Sequence, residues 1–90
     1  MLRQIIEEHQ FSSELQDLVP NSRRADEFVE GTTWTLCRDP EQGTRVRPGS
    51  PVWGIPINAY APGVQNVVIY YAFDADTVHL LSIQEVQDDE

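Results

Sequence analysis

Two apolar runs dominate the pattern of the chain: VVIYYAF over 67–73 and VHLLSI over 78–83, joined by Asp74-Ala75-Asp76-Thr77. Both runs are rich in β-branched and aromatic residues, and the short acidic link predicts an antiparallel hairpin with Phe73 opposite Val78. Strand alternation then sorts the side chains. Val67, Ile69, Tyr71, Phe73, Val78 and Leu80 fall on one face, and Val68, Tyr70, Ala72, His79, Leu81 and Ile83 on the other. Both faces are apolar. A hairpin seated on a core needs only one such face, so the second requires a cover of its own.

Upstream, VWGIPI alternates with Trp53, Ile55 and Ile57 on one side; Pro56 cannot donate to a ladder, which predicts an edge strand or a bulge. NAYAPG is the loop that leads from it into the hairpin. Two helices come earlier. In FSSELQDLVP, Ser13 with Gln16 three residues on reads as a capping box that starts a helix, with Leu15, Leu18 and Val19 on one side and Pro20 as its stop. The second helix is expected from an Asn21 cap, with a stripe of Ala25, Phe28, Val29, Thr32 and Leu36, and it ends at Asp39-Pro40. Gly31, Thr32, Thr33 and Thr35 are poor helix formers, so this helix depends on burying that stripe. Trp34 stands opposite the stripe and either packs on the first helix or belongs to an interface. Residues 40–51, PEQGTRVRPGSP, read as a connector. The opening LRQIIEEHQF fits a helix or a strand equally by period, with His9 in a solvated loop if it is a strand.

Ninety residues make one domain, taken as 1–86 followed by an acidic tail at 87–90. The formal net charge is −9, with fifteen acidic residues against six basic ones, all arginine. That balance opposes a phosphate backbone, so free DNA binding is not expected. One cysteine, Cys37, excludes an internal disulfide and is read as packing; no metal site or cofactor is expected. No run approaches a membrane span and the N-terminus lacks a signal-like apolar stretch, so the expectation is a cytoplasmic protein without membrane contact.

With the first segment as a strand the order is β-α-α-β-β-β. Together with SSELQDLVPNSRRADEFVEGTTWTLCRDPEQG and NVVIYYAFDADTVHLLSI, this order resembles the RelE/ParE superfamily of type II toxin–antitoxin toxins. The resemblance spans most of the chain and rests on hydrophobic spacing and turn chemistry. It implies that residues 2–8 are a strand. It also implies an α+β fold, with two helices on one face of a mainly antiparallel sheet of about four strands. Members of the superfamily cleave messenger RNA on the ribosome or inhibit DNA gyrase, and an antitoxin neutralises them. RNA-cleaving members tend to carry Tyr-Arg-Val-x-Tyr early in the third strand. Aligned on Tyr71, that pattern places Val68 where the arginine would stand, and the chain ends in acids where those members carry basic or aromatic groups. The ribonuclease set does not transfer.

The resemblance therefore implies a toxin-like component that acts mainly by binding protein, either an antitoxin, a cellular target or a second copy. The partner-binding candidates are Val68, Tyr70, Leu81 and Ile83 on the second hairpin face, with Trp34. The alternatives are a ribosome-dependent endoribonuclease with an atypical site built from Tyr70, His79, Arg45 and Arg47, or a gyrase inhibitor. Tyr70 and His79 have a plainer role as cross-strand neighbours, and Arg45 and Arg47 as partners for the chain's own carboxylates. Arg23 and Arg24, in the first turn of the second helix, are expected to pair with Asp26, Glu27 or an acid from elsewhere, with a partner surface as the alternative.

Overall fold

The hairpin forms where alternation puts it. In the computed structural model, which describes residues 3–18, 22–57 and 66–86, strands β4 (Val67–Phe73) and β5 (Thr77–Glu85) pair antiparallel with Phe73 opposite Val78. The turn is built on Asp74. Its backbone N–H donates to Thr77 O at 2.9 Å, and its Oδ1 accepts from the N–H groups of Asp76 and Thr77, each at 2.8 Å.

Around the hairpin the chain adds β1 (Gln4–Glu7), α1 (His9–Leu18), α2 (Ser22–Arg38), a 3-10 turn at Pro40–Gln42, β2 (Thr44–Arg45) and β3 (Trp53–Ile57). The sheet order is β1-β5-β4-β3-β2, with β1 parallel to β5 and every other pair antiparallel. This is the expected α+β class with two helices packed on the sheet. The strands number five because the expected connector contributes β2. Gly43 makes that possible: a Cβ there would lie 2.5 Å from the Tyr71 hydroxyl and 2.7 Å from Gly54 O, so only glycine lets the connector pass so close.

The core lies between the helices and one sheet face. Phe11, Leu36, Ile69, Tyr71, Val78 and Leu80 are fully buried, and Ile55 and Val67 nearly so. Tyr71 sits at its centre, with its hydroxyl donating to Pro40 O and accepting from Gly43 N–H at 3.2 Å. One side chain thus ties the middle of the sheet to the segment that leaves α2. Desolvation holds the Tyr71 phenol above its usual pKa. The Gly43 N–H works against that and, behind it, the Asp39 carboxylate with it.

Three local expectations shift. α1 begins at His9 rather than at a Ser13 cap, and His9 is helical rather than in a loop. Phe11 is the reason. It extends the Leu15 and Leu18 stripe back by one turn, and burying its ring outweighs a capping box. α2 ends before Asp39-Pro40 as expected, and Thr33 and Thr35 bond their hydroxyls back to Glu30 O and Gly31 O. The third shift is in β5. Between Tyr70 and Tyr71 the register moves from Ser82 to Leu80, so Leu81 has no opposite number. Beyond this bulge the alternation inverts and Ile83 turns into the core at 1% exposure. The Asn21 cap, Pro20, Val19, the NAYAPG loop and the acidic tail lie outside the described residues.

Candidate functional site

Strand register determines what the uncovered sheet face carries. Ile6 pairs with His79, His79 with Ala72, and Trp53 with Tyr71, so Val52 continues the row opposite Ala72. Val46 N–H donates to Val52 O at 3.0 Å, following the pairing of Arg45 with Trp53. One row therefore crosses all five strands: Ile6, His79, Ala72, Val52 and Val46. At ~4.8 Å per strand it is roughly 19 Å wide. Beside it lie Tyr70 and Gly54, then Val68 and Pro56, with Leu81 unpaired in the β5 bulge next to Tyr70.

Trp34 on α2 apart, the exposed large apolar side chains among the described residues lie on or beside this face. Ile6 is 37% exposed at one edge and Val46 48% at the other, while Val86, 38% exposed, follows the end of β5. Val68, Tyr70, Ala72 and Leu81 are half-buried. Gly54 leaves a shallow dip between Tyr70 and Val68, because a Cβ there would meet both at 3.5 Å, an ordinary contact distance. The face is broad and largely apolar. Such a surface usually marks an interaction site.

Of the partner-binding candidates, Val68, Tyr70 and Leu81 lie on this face. Ile83 does not: the bulge carries it to the helical side, and it is corrected to a core residue. Trp34 is 61% exposed on the outer side of α2, with the Arg38 guanidinium 4.5 Å from its ring centroid, so it neither packs on α1 nor shares the sheet face. Ile6, Val46 and Val52 belong to the face and were missed. Ile6 lay in a run of undecided period, and Val46 in a connector whose pairing no local pattern reveals.

The four catalytic candidates are not brought together. Tyr70 and His79 share the open face on adjacent strands, but Tyr70 pairs with Ser82 and His79 with Ala72, a diagonal relation. His79 Nδ1 instead lies 3.7 Å from Glu8 Oε2. Arg45 is on the other side of the sheet, its guanidinium 5.5 Å from the Trp53 ring centroid, and Trp53 in turn packs on Phe73. Arg45 is thus seated on an aromatic ring, not on a carboxylate. Arg47 is exposed in the loop after β2. Arg23 reaches Glu27 at 3.9 Å, as expected, but both side chains are well exposed and such a pair is weak.

Two grooves open on the helical side. One, of about 460 Å³, runs between α2 and β3 along Gly31, Thr32, Thr35, Ile55, Pro56 and Ile57, with Glu27 as its sole titratable lining group among the described residues. The other, of about 350 Å³, carries Glu14, Asp17 and Glu85 around Leu18 and Ile83. Neither holds an acid and a base in proximity. Among the described residues no cluster of His, Cys, Asp or Glu is arranged to hold a metal ion. No described helix is long and apolar enough to cross a membrane. The chain matches no protein-family model and no curated protein sequence.

Proposed function

We propose that this protein acts by binding another protein through the open face of its sheet, as a toxin-like component of a type II toxin–antitoxin system. The observation that carries the reading is the apolar row from Ile6 to Val46, which leaves exposed on one side what the helices bury on the other. Two further features support it. The element order on which the resemblance rests recurs with one added strand, and among the described residues the face lacks the fixed cations that phosphoryl transfer requires. A transition state that spreads negative charge over phosphate oxygens needs positive donors, and each one lost costs roughly 10²–10³ in rate. Here Val68 occupies the strand position, Arg45 lies behind the sheet, and His79 faces a carboxylate. The occupant of the face is an antitoxin segment, a cellular target such as gyrase, or a second copy.

Induction in a bacterial host tests this, with primer extension on ribosome-bound message. The expected result is no codon-specific cleavage. Cuts that vanish in Tyr70→Phe and His79→Ala would establish a ribonuclease site and overturn the binding reading. Growth arrest without cuts, relieved by Leu81→Glu on the open face, is the outcome for a protein target.

A further inference from the structure

The charge around the open face selects among its occupants. We infer that its partner is a cationic amphipathic segment of another protein, with apolar residues on the Ile6-to-Val46 row and Lys or Arg at the β1–turn corner. This rests on the protein-binding reading above and names the chemistry of the partner.

The corner is anionic. Glu8 follows β1 beside Ile6, and Asp74 and Asp76 stand exposed in the turn at the near end of β4 and β5. The Asp74 carboxyl is held below its ordinary pKa, first by the N–H of Asp76 and then by that of Thr77, so it is ionised across the neutral range. One arginine reaches this corner: Arg3 Nε donates to Asp74 O at 2.7 Å, its guanidinium lies 5.6 Å from the Phe73 ring centroid, and its charge adds to the lowering of the Asp74 carboxyl. One cation against three carboxylates leaves the corner anionic, while Arg45 lies over Trp53 on the helical side and Arg38 over Trp34 on α2. Arg47 sits in the loop beyond Val46, at the opposite edge from Glu8. The face is therefore polarised, with carboxylates at one corner and an apolar expanse toward the other edge.

A second copy fits poorly. Stacking two faces would bring together two chains of formal charge −9, with only Arg47 beyond Val46 to meet each carboxylate corner. An anionic ligand meets the same opposition. A cationic amphipathic segment satisfies both halves: its apolar side removes the row from water and its basic side meets Glu8, Asp74 and Asp76.

The test is an amide chemical-shift titration of the full chain with two synthetic peptides of equal length, one of Leu and Lys and one of Leu and Glu. The Leu/Lys peptide is expected to bind, with shifts at Ile6, Ala72, His79 and Val46, and the Leu/Glu peptide is not. Val46→Asp, at an exposed edge where it leaves the fold intact, should weaken binding about tenfold or more. The pair Glu8→Gln with Asp76→Asn should weaken it about fivefold at low salt, with the difference shrinking at high salt. Trp34→Ala should change nothing. Equal binding of both peptides, or binding indifferent to Val46→Asp, overturns the inference. Sedimentation showing a wild-type dimer that Val46→Asp dissociates, without peptide binding, also overturns it but leaves the protein-binding function standing. A monomer at every concentration that binds neither peptide removes both.

Discussion

The two faces of this sheet are built from the same strands and nearly the same residue types, yet they have opposite fates. On the helical face, Ile69, Tyr71, Val78 and Leu80 are wholly buried under α1 and α2. One residue along on each strand, Val68, Tyr70, Ala72 and His79 remain half in water. Hydrophobicity alone does not distinguish them. The difference is whether an element of the same chain returns to cover the face, and two helices suffice for one face only. The apolar content of the second is therefore a property kept for something outside the described fold.

This comparison can be broken or sharpened by paired substitutions. The largest contrast is expected between adjacent residues of β4. Ile69→Ala should cost about 3 kcal/mol in urea unfolding, while Val68→Ala costs under about 1 kcal/mol. Equal costs would show that the open face is as tightly packed as the core and needs no partner.

Next come the glycines that flank the two faces. Gly43→Ala should destabilise by about 2 kcal/mol, since its Cβ must displace the Tyr71 hydroxyl and Gly54 O. Gly54→Ala should lie within about 0.5 kcal/mol of wild type, because its Cβ meets Tyr70 and Val68 at 3.5 Å. Thermal unfolding of the two variants side by side measures the difference.

A smaller effect separates the two tyrosines. Tyr71→Phe leaves Pro40 O and Gly43 N–H without their buried partner and should cost about 1.5 kcal/mol, whereas Tyr70→Phe should be close to neutral. Tyr71 also predicts an alkaline limit. Its phenol titrates higher folded than unfolded, so its contribution is whole below the unfolded pKa of about 10 and is lost as pH rises from there through the folded value. Tyr71→Phe should remove that component from the alkaline unfolding curve.

The smallest effect lies in the exposed turn. Asp74 titrates lower folded than unfolded, chiefly through the Asp76 N–H, so its contribution is present above the ordinary carboxyl range and fades as pH falls through the folded value. Asp74→Ala should narrow the acid-side loss of thermal stability, and an unchanged acid slope would show that the turn bonds do not form in solution.

What the sequence determined by itself is local. Alternation in 67–73 and 78–83, the acidic link between them, the stripe ending at Leu36 and the Asp-Pro stop gave the hairpin and the end of α2, because period and turn chemistry act within a few residues. The apolar character of a second face was equally legible, since VVIYYAF is apolar at every position and VHLLSI is broken only by His79 and Ser82. Tertiary structure alone decided the rest. The bulge that leaves Leu81 unpaired and sends Ile83 inward is set by the pairing of β5 with β4, and no residue in VHLLSI announces it. Helix α1 starts at His9 because Phe11 has a core to enter, a gain invisible to the Ser13 cap. β2 exists because Gly43 passes beneath the Tyr71 hydroxyl, 28 residues away in sequence. The open face became one surface only when five strands aligned Ile6 with Val46 across its width. Pairing between distant segments sets such alignments, and a single sequence carries local preferences but not the registers that distant segments impose on one another.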